Sequence, residues 1–478
     1  MKFLDDRLNK ITMYQLVFQS LVIFAVWAII AGFLGWLAYS GLSLLYSLIL
    51  ILLVCYAANR LFAWIFKVDF NIESNLITAL ILFLILAPIT TGFDAVWYVI
   101  IGTAAMASKY LLVYRRKHIF NPAAIALFIT GLFGAGLSIW WVATPVLFPV
   151  ILVFGVFILR KVQRFQMFFA FLVFSVASIL VSSHLHGFSP SLKQIFFSWP
   201  IIFFGTVMLT EPLTTPASNK LRIAYGAIVG ILFGLQFSFA SPELALIVGN
   251  IFSFLVSPKG RLKLTLKEKN KLSSDTYEFV FRPDKKLQFK PGQYLEWTLG
   301  DVKLDSRGNR RYFTIASSPT EPDIKLGVKF EEHGSNFKRK LLELHPNDHV
   351  WAGELRGDFV LPEDMSKKLV FLAGGIGITP FRSMVKYLSD KGEKRDIVLL
   401  YSAKEFAYKD VFDKAEIKTM YATERVTEQT VIKEIPDYKD RIFYLSGPRG
   451  MVEAFEKILK GLGIPKSSIN IDFFPGFA

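Results

Sequence analysis

Three glycine-bearing stretches in the second half of the chain have the residue types that hold phosphates and dinucleotides. Gly334-Ser335-Asn336 opens the helical pattern FKRKLLEL. A small turn at a helix start offers free backbone N–H groups and the positive dipole end to a diphosphate; Ser335 or Asn336 can equally cap the helix with no ligand at all. Gly374-Gly375-Ile376-Gly377-Ile378-Thr379-Pro380 follows the apolar run LVFLA and precedes a helical pattern. Glycines there let backbone approach a dinucleotide closely, and Pro380 suits a first helical turn. Ser446-Gly447-Pro448-Arg449-Gly450-Met451 again follows an apolar, β-rich run. A fourth stretch, Arg311-Tyr312-Phe313-Thr314, is in isolation any strand with an arginine. In the apolar first half the polar residues that invite chemistry are Asn121, Asn250 and Glu211, the last with Thr214 and Thr215 in TEPLTTP. An acid at a span end is often only interfacial, but polar side chains at membrane depth are costly, which favours a site role.

The elements that must position these residues divide the chain in two. Its 478 residues are 53% apolar and carry 54 Lys/Arg against 39 Asp/Glu, a net charge of +15. Up to Ser257 there are 15 basic and 7 acidic residues; from Pro258 onward there are 39 and 32. No single water-soluble globule has that distribution, so a membrane domain is expected over 1–257 and a soluble region after it. The positive excess is spread through both halves, which reads as membrane topology and argues against a nucleic-acid partner. One cysteine, Cys55, excludes an intrachain disulfide and four-cysteine zinc or iron–sulfur sites. Redox chemistry would then use an organic cofactor, haem or a partner's metal.

Stretches suited to ~30 Å of hydrocarbon, short or broken ones included, fall near 13–37, 42–66, 75–92, 94–114, 121–137, 143–160, 165–183, 195–210, 221–240 and 243–257. The first is expected to be a retained helix, not a signal peptide. With ten spans, Lys2, Arg7, Lys10, Arg60, Lys67, Lys109, Arg115, Arg116, Lys117, Arg160, Lys161, Arg164, Lys220 and Arg222 lie on one side and only Lys193 on the other. The bias predicts a multi-pass protein of the bacterial cytoplasmic membrane with both termini cytoplasmic. LAPITTG at 86–92 echoes as TEPLTTP at 210–216. Five spans per copy make an inverted repeat, and Pro-interrupted helices in such repeats are where binding sites arise. The plainer alternative is that Pro88 and Pro212 only end helices at the surface.

Ten spans, RRKHIFNPAA after the fourth and MLTEPLTTPASNK between the eighth and ninth resemble the membrane flavoprotein family of the sodium-translocating NADH:quinone reductase B subunit and the Rnf complex D subunit. The resemblance covers most of 10–257 and implies flavin and electron transfer in the membrane, with Asn121, Glu211, Thr214 and Thr215 as cofactor-binding candidates. The chain lacks the Ser/Thr-Gly-Ala-Ser/Thr acceptor motif of members with covalent FMN. A phosphoester-linked FMN is therefore not expected, which leaves a non-covalent flavin, FMN or riboflavin, or no membrane flavin at all. Haem stacks need paired histidines on facing helices. This half has only His118 at the cytoplasmic edge and His184 and His186 near the opposite one, all three read as surface histidines.

The soluble half alternates in short runs (RLKLTLKEK, TYEFVFRP, YLEWTL, RYFTIASS, IKLGVKF), indicating an antiparallel β-barrel over 258–365. LVFLAG, IVLLYSA and RIFYLSG, separated by helical patterns, indicate an α/β parallel sheet over 366–478. The four glycine and arginine stretches, in this order and spacing, resemble the ferredoxin–NADP reductase family over the whole region, without an attached ferredoxin domain. The resemblance implies FAD and NAD(P)H. It assigns Arg311 to phosphate, Phe313 to the isoalloxazine and Thr314 to the flavin N5 region. Gly334, Ser335 and Asn336 go to the diphosphate, which favours FAD over FMN. Gly374, Gly375, Gly377, Thr379, Pro380, Gly447, Pro448 and Met451 go to the nicotinamide dinucleotide. Ser446 stands where relatives usually carry Cys. Phe474 or Phe477 would cover the flavin face, with Asp472 just before them.

The expectation from both halves is an NAD(P)H:acceptor oxidoreductase with Thr314, Thr379, Ser446 and Asp472 at its hydride-transfer centre. Electrons would pass into the lipid-embedded domain toward a membrane quinone or an extracytoplasmic acceptor; a homo-oligomer is compatible. A transporter or channel regulated by a cytosolic flavin domain, and a haem-based ferric or oxygen reductase, are the alternatives.

Overall fold

The computed structural model describes residues 11–68, 72–115, 117–235, 240–257, 260–300, 309–331, 334–423 and 426–472. Lys2, Arg7, Lys10, Arg116, Phe474 and Phe477 lie outside the described residues. The chain forms two compact units, Met1–Gly260 and Arg261–Ala478.

The first unit is helical, with α1 Met13–Phe33, α2 Gly41–Phe66, α3 Ile72–Ile85, α4 Gly92–Leu111, α5 Pro122–Leu132, α6 Phe148–Val162, α7 Phe165–Leu185, α8 Leu192–Ser198, α9 Ile201–Phe203, α10 Asn219–Gly234 and α11 Pro242–Val256. A two-residue hairpin, β1 Val113–Tyr114 with β2 Lys117–His118, follows α4. Three helices, α1, α2 and α7, are long and apolar enough to cross a membrane. Of the other expected stretches, 94–114 and 243–257 form the unbroken helices α4 and α11, and others are shorter or broken, for local reasons. Gly134 and Gly136 take φ values of +84° and +59° and stop α5 short of 137. Stretch 195–210 is divided at Pro200 between α8, α9 and a π turn over Phe204–Met208.

The break after α3 shows how unwound backbone is kept satisfied away from water. Leu86 bridges to Ser138, and Ala87 N–H donates to the Leu137 carbonyl at 2.8 Å. The Ala87 carbonyl accepts from Tyr98 Oη at 3.0 Å. Ile89 N–H donates to Ser47 Oγ at 2.8 Å, and its carbonyl accepts from Ser43 Oγ at 2.6 Å. The echoed segment is instead a 3-10 turn over Pro212–Thr214. A second echo lies in the helix starts: α5 is capped by Asn121 with Pro122 in its first turn, and α11 by Ser241 with Pro242.

Helices α7 and α10 pack backbone to backbone. A Cβ on Gly226, Gly230 or Gly234 would lie 2.4 Å from the Met167 carbonyl oxygen, 2.7 Å from that of Phe171 and 2.6 Å from Ile179 N. Small residues four apart are what such an approach requires.

The second unit holds two sheets. The strands β3 Leu262–Lys271, β4 Thr276–Pro283, β5 Tyr294–Thr298, β6 Arg310–Thr314, β7 Ile324–Lys329 and β8 His349–Arg356 form an antiparallel sheet in the order β6-β5-β8-β3-β4-β7. Where a barrel is expected, no ladder joins the outer strands β6 and β7 among the described residues. The chain just after β6 meets β7 through Ala316 N–H to the Lys325 carbonyl at 2.9 Å. Helix α12, Asn336–Glu343, seats Phe337 and Leu341 in this sheet's core. The strands β9 Lys368–Gly374, β10 Ile397–Ser402, β11 Lys418–Ala422, β12 Arg441–Ser446 and β13 Ile469–Ile471 form a parallel sheet ordered β11-β10-β9-β12-β13. Between its strands run α13 Thr379–Lys391, α14 Lys409–Asp413, α15 Glu428–Glu434 and α16 Arg449–Gly461. Their alternation with the strands is the expected crossover pattern.

Replacing Gly230 by leucine should force α7 and α10 apart and destabilise the first unit by roughly 1–3 kcal/mol. A thermal-shift measurement in detergent checks this, with the exposed Gly131→Leu as the control that leaves the midpoint in place.

Candidate functional site

The two glycine turns of the second unit meet back to back. β9 ends at Gly374 and β12 at Ser446, and these strands are hydrogen-bonded neighbours with Ala373 opposite Ser446. A Cβ on Gly377 would sit 2.5 Å from Gly447 N and from the Ser446 carbonyl oxygen. One on Gly374 would lie 2.3 Å from Met451 Sδ and 3.0 Å from Pro448 Cδ. Gly375, at φ +51°, has nothing within 4 Å of where its Cβ would be. Two of the three glycines therefore serve close packing, and the third leaves an open face at a strand end. That is the position at which parallel α/β sheets take ligands. Pro380 lies in the first turn of α13, and Thr379 Oγ1 donates to the Ile376 carbonyl at 3.2 Å.

Ser446 and Asp472 are brought together, Ser446 Oγ donating to Asp472 Oδ2 at 3.0 Å. Asp472 N–H also donates to the Leu445 carbonyl at 3.0 Å. The GGIG turn lies against the antiparallel sheet: a Cβ on Gly327 of β7 would be 2.8 Å from Thr379 Cγ2 and 3.1 Å from Ile376 Cδ1.

Arg311 and Phe313 share one face of β6 and both reach Phe337 of α12. Arg311 Cζ is 5.2 Å from the Phe337 ring centre, and the Phe313 ring centre is 6.0 Å away. Ser335 caps α12, its Oγ accepting from Lys338 N–H at 3.3 Å, and Asn336 Oδ1 accepts from Arg339. Gly334 N–H donates to the Glu331 carbonyl at 3.0 Å. A guanidinium beside a capped helix start fits a diphosphate. Thr314, 5% exposed, ends β6 opposite Tyr294. Sequence reasoning missed Glu296, buried to 1% exposure, which accepts from Tyr312 Oη at 2.9 Å and Arg261 Nη2 at 3.3 Å. It also missed Arg382, Glu321 and Tyr408. A buried charge on a strand or helix that otherwise reads as amphipathic carries no pattern of its own.

In the first unit the structure gathers Glu211, Asn121 and Thr214. Glu211 accepts from Asn121 Nδ2 at 2.9 Å and Thr214 Oγ1 at 3.2 Å, and pairs with His118 Nε2 at 3.1 Å. His118, read from sequence as a surface histidine, is in fact only 13% exposed because it partners this carboxylate. Asn250 Oδ1 accepts from Asn121 N–H at 2.8 Å, and its amide donates to Tyr225 Oη at 3.2 Å. Thr215 turns inward, donating to the Pro212 carbonyl at 3.3 Å. Glu243, 3% exposed, is a second carboxylate, more deeply buried than Glu211, accepting from Trp140 Nε1 at 2.9 Å and from Ser138. Among the described residues no group of three or more His, Cys, Asp or Glu converges as a metal site.

Residues 263–357 match the family model of the oxidoreductase FAD-binding domain, and residues 371–457 that of the oxidoreductase NAD-binding domain. The second unit thus carries FAD- and NAD(P)H-binding domains of flavin-dependent oxidoreductase type. The flavohemoprotein of Halalkalibacterium halodurans is 24% identical over 245 residues, 44% of this chain and 58% of its own length. That of Pseudomonas putida is 26% identical over 299 residues, 56% of this chain and 71% of its own. A solved structure, the flavohem-like FAD/NAD binding domain of nitric oxide dioxygenase from Vibrio cholerae, aligns at 22% identity over 45% of this chain and 98% of that one, with a TM-score of 0.40. The chain spans less than two thirds of the first two relatives' own lengths, 58% and 57%.

Gly377→Val should push the paired turns apart, at a cost of roughly 1–3 kcal/mol. Nicotinamide-nucleotide affinity, read by titration, should fall at least about tenfold. The FAD content of the purified protein should stay at the wild-type level.

Proposed function

We propose that this chain is a membrane-bound NAD(P)H oxidoreductase. In this reading the second unit takes electrons from NAD(P)H and passes them to the first, toward a membrane quinone or an extracytoplasmic acceptor. The observation that carries the reading is the presence together, in one compact unit, of the strand-end glycine turns, the Ser446–Asp472 pair and the Arg311–α12 corner, within segments matching FAD- and NAD-binding domains. FAD, when bound, would supply the conversion of a hydride from nicotinamide, two electrons and a proton, into electrons passed on one at a time with the proton given up to solvent.

The chain's own residues bind, orient and exclude water. Arg311 and the N–H groups at Ser335 and Asn336 hold the diphosphate, with Gly334 shaping the turn before them, and Phe313 and Thr314 stand at the ring end of the same strand. The open face of Gly375 receives the nicotinamide nucleotide. Met451, Pro448 and Gly447 brace that turn from behind, and Thr379 and Pro380 fix where α13 begins. Ser446 presents a small hydroxyl kept in one direction by Asp472. Fixed geometry of this kind is the larger part of what a protein contributes to hydride transfer, because reacting atoms must lie about 3–3.5 Å apart.

For the first unit, support comes from α1, α2 and α7 and from large apolar side chains left outward, among them Trp64, Leu185, Phe133 and Phe93. That surface suits a lipid solvent. The Glu211, Asn121, His118 and Thr214 cluster, built where a helix is interrupted, is the place we assign to a second, non-covalent flavin, FMN or riboflavin. Moving an electron outward across an inside-negative membrane gains roughly 2.3 kcal/mol per 100 mV, so delivery needs no ion pump.

A haem-based reading is raised by the flavohemoprotein relatives. It requires paired axial histidines on facing helices, whereas up to Ser257 the chain has only His118, His184 and His186, and His118 Nε2 pairs with Glu211. A Soret band in the purified protein would replace the flavin relay by haem.

Cofactor extraction is the direct test. The whole chain should release two flavins and the isolated second unit one. Glu211→Gln should slow acceptor reduction while leaving NAD(P)H-dependent FAD reduction unchanged. One flavin from the whole chain, with acceptor turnover untouched by the variant, would remove the first unit from the electron path.

A further inference from the structure

The FAD-binding and NAD-binding segments of the second unit are joined by a buried ion pair that none of the glycine or arginine stretches contains. Arg382 lies three residues after Thr379, one turn along α13 on the same face, and its side chain is 4% exposed. Its fork meets Glu321 at two points: Nη2 donates to Oε1 at 2.9 Å and Nη1 to Oε2. Nη1 also donates to the Ala316 carbonyl at 3.1 Å, and Cζ sits 5.6 Å over the Tyr408 ring. Glu321 is fixed on its own side by Ser318 N–H at 2.6 Å and by Lys325 Nζ at 3.4 Å. Burial raises the Glu321 carboxyl's pKa, but Arg382's hydrogen bonds and charge, with the Ser318 N–H and Lys325, outweigh it and hold the group below the usual carboxylate range. The next residue repeats the tie, Ser383 Oγ donating to the Ser317 carbonyl at 2.6 Å.

The placement of these contacts matters more than their number. Ala316, Ser317 and Ser318 are the direct continuation of β6, the strand of Arg311, Phe313 and Thr314. Helix α13 begins in the GGIG turn. The fork therefore spans from the strand that holds one ring to the helix that starts under the other. A buried Arg–carboxylate pair is weak evidence for stability, because well-packed apolar side chains do as well or better once desolvation is counted. What a planar two-point fork supplies is direction: it fixes an angle as well as a separation.

We propose that the Arg382–Glu321 fork is a positioning pair for hydride transfer, setting the distance and tilt between the nicotinamide seated at the α13 turn and the flavin held along β6. The inference rests on the FAD/NAD(P)H reading above. Neither Arg382 nor Glu321 belongs to the stretches assigned to the cofactors, and their side chains are taken up by each other, Ala316, Ser318 and Lys325, so the pair governs the transfer step and leaves each cofactor's binding alone.

The test is anaerobic stopped-flow bleaching of bound FAD by NADH and by NADPH in the full-length protein. The variants are Arg382→Lys, which keeps the charge and loses the fork, Arg382→Met, Glu321→Gln, and the exchange Arg382→Glu with Glu321→Arg. The single variants should bleach about 10- to 100-fold more slowly, with nucleotide Kd and FAD content held within about twofold and a changed primary isotope effect from nicotinamide deuterated at C4. The exchange should recover part of the lost rate. Wild-type rates and isotope effects throughout would overturn the positioning role, as would variants that simply lose FAD, since that marks the pair as a structural prop. Failure of the wild type itself to bleach with either nucleotide would instead overturn the underlying reading of the unit.

Discussion

The second unit depends on one close contact, the seating of Gly377 against the backbone of Ser446 and Gly447. Adjacent parallel strands bring their ends within about 5 Å of each other, and the two turns that leave those ends can nest only if side chains are missing at the contact. Once they nest, the rest is constrained. Gly375 must face outward, α13 must start where Pro380 lies, and Ser446 must point at Asp472. Replacing either packed glycine would disturb every one of these positions together.

The first unit obeys a different constraint, that of satisfying the backbone groups buried at its helix breaks. Its interruptions are where polar side chains concentrate: Ser43, Ser47 and Tyr98 at the break after α3, and Thr214, Glu211 and Asn121 around the later one. The echo extends to neither local structure nor chemistry, for the first copy is extended and bridged, the second is a 3-10 turn, and where the second has Glu211 the first has Ala87.

What was legible in the sequence follows from how local each signal is. Glycine turns after apolar runs, a Ser cap before a helix and a charged, alternating texture are read within ten residues, and the parallel sheet and its turns follow from them. Glu211 with Asn121 and Thr214 was nameable because prolines mark the interruptions, although nothing local paired Glu211 with His118, 93 residues away. Arg382 and Glu321 were illegible for the same reason: an arginine on an amphipathic helix looks solvated until a distant strand covers it. Helix lengths in the first unit were overestimated where glycines and prolines cut hydrophobic runs that remain apolar on both sides of the break.

The seam of Gly226, Gly230 and Gly234 against α7 has a mechanical consequence. Two helices whose backbones touch along three successive turns cannot slide or roll past one another without opening a void, so they travel as a single stiff plank. Any rearrangement within this half of the chain must then bend elsewhere, at the breaks between its other helices.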